Sequence, residues 1–232
     1  MRDLKEFESK IEIKFDNKNL LKNVFIHRSF LNENPKLTLE SNERLEFLGD
    51  AVLELVVTEN MFKNYQNPEG ELTGWRSALV CGPSLSKVAI KFEMGKFLYL
   101  SRGEEKMGGR EKDLLLANAF EALIGALYLE KGYEKVKKFL EKHLLSDLPE
   151  IIEKKIYIDP KTQLQEKAQD ELGVTPTYEV LKETGPDHAK IFTMTVFLGN
   201  KEAGLGQGSS KQLAQVKAAQ NAIDKWPKES KK

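Results

Sequence analysis

The chain has 232 residues, 40% of them hydrophobic and 31% charged, ordinary values for a globular protein of one or two domains. Lys and Arg balance Asp and Glu at 36 each, so bulk charge gives no attraction to nucleic acid and any such role has to come from local patterning. No apolar run reaches a membrane span, the stretch Met1–Glu6 lacks a secretion signal's apolar core, and Cys81 stands alone, which excludes an internal disulfide and fits a reducing, cytoplasmic setting.

In chain order, residues 4–31 read as helical, broken at Phe15-Asp16-Asn17-Lys18, with Leu20, Leu21, Val24 and Phe25 as an apolar face and His27, Arg28 and Ser29 closing it. Residues 32–41 read as a loop around Pro35. A helix follows to about Asn64, with Ser41 or Asn42 as its N-cap. Glu43, Glu46 and Asp50 are spaced i, i+3, i+7, which puts them within ~60° of one another on the helix surface. Leu45, Leu48, Val52, Leu55 and Val56 form the opposite, apolar side. Stacked like charges destabilise a helix unless something neutralises them. A solvated acidic face is the ordinary meaning of such a stripe, but Phe47 and Gly49 interleave the acids where Lys or Arg is more usual.

Gln66–Gly70 is a turn cluster, residues 72–80 are helix-like, and Gly82-Pro83 interrupts before a helix at 84–93. Residues 101–112 read as a charged, glycine-containing loop. Asp113 to Lys131 is a strong Leu- and Ala-rich helix closed by Gly132, and a further amphipathic helix spans 133–145. The stretch 146–161, with Pro149 and Asp159-Pro160, reads as a boundary.

Beyond it the pattern changes. Thr162–Leu172 is a helix with Leu164, Ala168 and Leu172 on one side. Thr177–Lys182 has strand composition, Ile191–Leu198 alternates with a period of two, and a third short strand lies around Ala203–Gly206. Gly185-Pro186-Asp187-His188 forms the turn between the first two. The last helix, Ser210–Lys225, carries Ala214, Ala218 and Ala222 at four-residue spacing, a face able to sit close against a sheet.

A second acidic element repeats the packaging of the first. Asn118 and Glu121 are i, i+3 on one face of the apolar helix 113–131. Two helices that each carry oxygen ligands on one stripe could converge on Mg²⁺, a hard cation that takes carboxylate and carbonyl oxygens and keeps several waters. His27, His143 and His188 are isolated, and the chain has no phosphate-binding loop of the GxxxxGK[ST] type and no nucleophilic Ser or Cys motif.

Asn42-Glu43-Arg44-Leu45-Glu46-Phe47-Leu48-Gly49-Asp50-Ala51 resembles the signature of ribonuclease III, the double-stranded-RNA endonuclease family. Ala117–Gly125 resembles that family's second acidic motif, and the C-terminal α-β-β-β-α segment resembles a double-stranded-RNA-binding domain. The likeness covers nearly the whole chain. It implies an all-α endonuclease domain over 1–148, a linker over 149–159 and a small α+β RNA-binding domain over 160–228. It further implies Glu46, Asp50, Asn118 and Glu121 as metal-binding residues, Asp50 and Glu121 as catalytic, and Glu43 and Glu69 as supporting acids. Phe47 matches an aromatic that plugs the partner in a homodimer. Thr162, Gln165, Glu166 and Gln169 match residues facing an RNA minor groove, His188 the loop that enters the next, and Lys211 and Lys217 phosphate contacts. The implied cofactor is Mg²⁺, with Mn²⁺ able to substitute. The implied partner is double-stranded RNA, with no membrane. The implied reaction leaves 5′-phosphate and 3′-hydroxyl ends with short 3′ overhangs, in processing of ribosomal RNA precursors and other structured transcripts.

Two positions depart from the family pattern. Asn118 stands where Asp is frequent, which keeps a carbonyl oxygen but drops a charge, and Lys211 is followed by Gln212 where a second Lys is frequent. The alternative is a catalytically silent duplex-binding relative. Retention of Glu46, Asp50 and Glu121 speaks against it, and Asn118 alone leans towards it.

Overall fold

Helix α8 (Asp113–Lys131) is apolar round most of its circumference, and the N-terminal half of the chain is built around it. Phe120, Leu123, Ile124 and Leu127 are fully buried, each worth about 1.5–3 kcal/mol of transfer free energy. In this computed structural model, which describes residues 3–186 and 189–226, one compact unit runs to Tyr157 and a second begins at Ile158.

In the first unit the expected helical stretch 4–31 is three helices: α1 (Leu4–Ile11), α2 (Lys18–Val24) and α3 (Arg28–Glu33). Glu12 ends α1 in the left-handed region at φ 57°, and the Asn17 side chain caps α2 by accepting from the Asn19 and Leu20 amides. His27 and Ser29 open α3 instead of closing α2: His27 is the N-cap and its Nδ1 accepts from the Ser29 amide at 3.3 Å. The break is fixed by tertiary pairing that no local pattern reports, since Ile26 bridges to Tyr99.

Helix α4 (Glu43–Asn64) buries Leu45, Val52, Leu53, Val56, Val57 and Met61 against α8. Leu55, expected on the apolar side, is exposed, and the buried stripe passes through Leu53 and Val57 instead. Asn42 occupies the N-cap position but does not cap. Its buried amide donates to the Val24 carbonyl at 3.2 Å and ties α4 to the end of α2. Helices α5 (Glu69–Leu79), α6 (Gly82–Lys91) and α9 (Tyr133–His143) complete the wall. Pro83 starts α6 and does not interrupt it, because a first-turn proline forgoes only an amide with no helical partner.

Two stretches read as irregular are ordered. The 101–112 loop holds α7 (Arg102–Lys106) and a 3₁₀ turn at Gly109–Glu111, pinned by the Arg110 guanidinium on the Gly95 and Leu98 carbonyls at 2.8 and 3.0 Å. Within the expected linker 149–159 lies most of α10 (Leu148–Glu153), with Ile151 buried, and the Tyr157 ring then meets Trp75 edge-on at 6.1 Å. Gly74 makes room for that ring: a Cβ there would stand 3.1 Å from it.

The second unit runs α11 (Pro160–Leu172), β1 (Pro176–Thr184), β2 (Ile191–Leu198), β3 (Lys201–Gly208) and α12 (Lys211–Asp224), an α-β-β-β-α order with an antiparallel sheet β1-β2-β3. The first and third strands are longer than their sequence patterns, since the backbone ladder extends through Glu183, Lys201 and Glu202, whose side chains carry no strand signal. The Ala214, Ala218 and Ala222 face packs on the sheet as its spacing predicts. It does so against Gly204, Gly206 and Gly208 of β3, where an added Cβ would lie 2.5 Å or less from α12 backbone at the first two and 2.7 Å at the third.

Candidate active site

The position of the acids follows from one contact. Gly49 on α4 and Gly125 on α8 face each other where the helices cross. A Cβ on Gly49 would fall 1.8 Å from the Glu121 carbonyl oxygen, and one on Gly125 would fall 2.2 Å from that of Leu45. The backbones therefore touch, and the residues one or more turns to either side share one rim. Glu46 and Asp50 reach that rim from α4, Asn118 and Glu121 from α8.

Their electrostatics show that the four are neighbours. Burial is the largest cause that pushes the Glu121 carboxyl up to about 7, and the charges of Asp50 and Glu46 add to it. Glu46 is raised as well, by burial first, then by Glu43 and Asp50. The Asn118 amide, within hydrogen-bonding reach of the Glu46 carboxylate, pulls the other way. Carboxylates crowded in this way repel one another, and a cation between them would relieve that repulsion as a proton does. Asp50 is exposed, whereas Glu46, Asn118 and Glu121 are half-buried, so the rim is open to a large ligand. All four side chains offer oxygen ligands. Among the described residues no three Asp, Glu, His or Cys side chains converge tightly enough to hold an ion alone.

The remaining expected site residues are placed as follows. Glu43 is exposed at the start of α4, accepts from the Ser41 hydroxyl at 2.8 Å and lies 3.5 Å from Arg28, near enough to act on Glu46. Glu69 is not at the crossing. It sits in the first turn of α5, accepts from the Thr73 hydroxyl at 2.9 Å, and lines an open groove of about 570 Å³ with Thr58, Phe62 and Arg76. Phe47 is 81% exposed, and Leu55 and Phe62, eight and fifteen residues on along the same helix, are exposed too.

In the second unit Thr162, Gln165, Glu166 and Gln169 are exposed on α11 at spacings that return them to one face, opposite buried Leu164 and Ala168. Lys211 and Lys217 are exposed on α12, and Ser210 caps that helix by accepting from the Leu213 amide at 3.2 Å. His188 lies outside the described residues.

Sequence pattern alone does not place the glycine pair in the site. The available signal was two glycines inside strong helices, each costing roughly 1 kcal/mol against Ala and so implying a packing reason.

A family model described as Ribonuclease-III-like matches residues 17–148, and one described as double-stranded RNA binding motif matches residues 160–225. A relative from Oceanobacillus iheyensis named ribonuclease 3 is 45% identical over 223 residues, covering 96% of this chain and 97% of the relative. A relative of the same name from Natranaerobius thermophilus is 44% identical over 228 residues, 98% of each chain. Among solved structures, the nuclease domain of ribonuclease III from Campylobacter jejuni is 39% identical with a TM-score of 0.58, covering 63% of this chain and 99% of that one. It is described in terms of structural flexibility in a region involved in dimer formation.

Proposed function

The chain belongs to the ribonuclease III-like family, and we propose that it is a double-stranded-RNA endoribonuclease whose active site is the rim formed by Glu46, Asp50, Asn118 and Glu121. The convergence of these four residues at the Gly49–Gly125 crossing carries the assignment. Their all-oxygen donor set and mutual repulsion fit a hard divalent cation, Mg²⁺ with Mn²⁺ as a substitute, whose remaining positions fall to water and RNA oxygens. Held by these side chains, one such ion would supply the acidity that turns water into a nucleophile for in-line attack on the phosphodiester and another the charge that steadies the leaving 3′-oxygen, chemistry that gives 5′-phosphate and 3′-hydroxyl ends. Glu121 and Asp50 orient the reacting groups. Glu46 and Asn118 fix the geometry from opposite helices, and Glu43 adds negative charge behind Glu46. Glu69 supports from the neighbouring groove.

The second unit grips A-form RNA by shape, with Thr162, Gln165, Glu166 and Gln169 of α11 towards a minor groove and Lys211 and Lys217 on phosphates. The exposed Phe47, Leu55 and Phe62 support a homodimer in which Phe47 enters the partner, each subunit cutting one strand to leave short 3′ overhangs. The Campylobacter jejuni nuclease domain, described as having a region involved in dimer formation, supports a dimer. Processing of ribosomal RNA precursors and other structured transcripts in the cytoplasm completes the proposal. Among the described residues no helix is long and apolar enough to cross a membrane. Nothing in the fold or among the relatives favours a silent duplex-binding protein.

The test is incubation of the purified chain with long duplex RNA with and without Mg²⁺. Metal-dependent fragments with 5′-phosphates are expected. Duplex binding without cleavage at any Mg²⁺ concentration refutes the enzyme.

A further inference from the structure

Lys211 is the first residue of α12, and it is already occupied. Its ammonium lies 3.4 Å from Oε1 of Glu183, near the end of β1, and 5.6 Å from the centre of the Phe192 ring. The other oxygen of that carboxylate lies 3.7 Å from the ammonium of Lys190. Strand register builds this arrangement, since Glu183 is the cross-strand partner of Phe192, the residue whose ring underlies Lys211. Lys217, six residues along α12, has no ion pair among the described residues.

We propose that Glu183 is an internal competitor for the RNA phosphate at Lys211, and so a residue that sets how strongly, and how salt-dependently, this chain holds duplex RNA. The proposal rests on Lys211 being a phosphate contact. A phosphate arriving at Lys211 has to displace the Glu183 carboxylate, which then stands within a few ångströms of the incoming anion, well inside a Debye length. The displaced carboxylate keeps Lys190 beside its other oxygen, and its remaining charge either repels the phosphate or recruits a cation from solution. In either case the Lys211 contact yields less than a free lysine would, and fewer counterions are released overall. A single anion or a short duplex gains little there. A long duplex, held by other contacts at the same time, supplies the local phosphate concentration that wins the exchange.

The experiment measures duplex-RNA affinity of the full chain against KCl concentration in EDTA, so that no strand is cut. Four variants are compared with the unmodified chain: Glu183→Gln, Lys211→Gln, the two combined, and Glu179→Gln. Glu179 is exposed on the same strand, has no ion pair among the described residues, and gives the same change in net charge. Glu183→Gln is expected to tighten binding about two- to fivefold near 0.1 M salt, the scale of one exposed ion pair. It is also expected to steepen the log–log salt slope by up to about one. Glu179→Gln leaves the slope unchanged. In the combined variant the gain disappears, which a purely structural effect of residue 183 would not do. An unchanged slope in Glu183→Gln, the same gain in Glu179→Gln, or a gain that persists without Lys211 overturns the proposal. Undiminished binding by Lys211→Gln overturns it by removing its premise, and absence of duplex binding by the unmodified chain refutes the proposed function itself.

Discussion

Replacing Gly49 by Ala tests whether the helix crossing makes the site. The new Cβ would stand 1.8 Å from the Glu121 carbonyl oxygen, 2.6 Å from its carbon and 2.9 Å from the Gly125 amide nitrogen, all backbone atoms that cannot rotate aside. Real Cβ contacts stay beyond 3.0 Å, so α4 and α8 have to separate by about 1.2 Å at that point. Overpacking of this kind costs about 1–3 kcal/mol, which for a unit of this size lowers the melting temperature by about 2–12 °C. The effect on chemistry is larger. A shift of about 1 Å between Glu46 and Asp50 on one helix and Asn118 and Glu121 on the other costs about 10²-fold in rate. Single-turnover cleavage of a long duplex at saturating Mg²⁺ measures this directly, and duplex binding by the second unit serves as the internal control. Gly70→Ala, inside α5 with nothing within 4 Å of the added Cβ, is the matched substitution expected to leave the rate unchanged and to hold or slightly raise the melting temperature, Ala being the better helix former. If Gly49→Ala cuts within twofold of the unmodified chain and melts at the same temperature, close backbone contact does not position the acids.

Glu121→Gln is expected to abolish cleavage and keep duplex binding; normal cutting would remove Glu121 from the site. Without metal, the raised Glu121 carboxyl makes folding take up a proton between the ordinary carboxylate range and about 7. The stability this contributes is therefore present below about pH 4.5 and lost as pH rises through about 7. Melts in EDTA are expected to fall over that window in the unmodified chain and to flatten in Glu121→Gln, with parallel curves counting against the burial and repulsion assigned to Glu121. Asn118→Asp removes the amide beside Glu46 and adds a charge, so it should lower the Mg²⁺ concentration for half-maximal cleavage while destabilising the metal-free chain; an unchanged Mg²⁺ titration would place Asn118 away from the ion. Gly206→Ala puts a Cβ 2.2 Å from the Ala218 amide nitrogen and should unfold the second unit and lose duplex binding, with the melting of the first unit unchanged.

Much of the fold was legible because periodicity reports burial. The Leu and Ala content of 113–131 marked α8, and the four-residue alanine spacing marked the face of α12 that meets the sheet. Where sequence reading missed, the deciding interaction was long-range. His27 and Ser29 belong to the start of α3 because Ile26 is held by Tyr99, over seventy residues away. Residues 149–159 read as linker because Pro149 and Asp159-Pro160 are the punctuation of a boundary. Ile151 and Tyr157 suffice to dock the segment because Trp75 and Gly74 offer a ready-made seat. Helical spacing alone puts Leu55 on the apolar side, yet α4 is exposed on that flank, where an apolar side chain fits a second subunit as well as it fits a core.

The site divides along the same line. Residue type and spacing within one helix put Glu46 with Asp50 and Asn118 with Glu121 on shared faces, because residues three or four apart are neighbours on a helix, and the family resemblance is what marks them as candidate ligands. That the two pairs share a rim depends on how closely two helices approach, and the approach is set by residues with no side chain. Gly49 stood out in the sequence only as an odd neighbour among acids. Beside Gly125 it becomes the reason those acids meet, since any larger residue at either position would hold the helices apart. The same logic separates Glu43 from Glu69. Glu43 shares a helix with Glu46, and its charge reaches that carboxylate. Glu69 starts a different helix and faces a different groove, so a part in cleavage would have to come through RNA or a second subunit lying across both.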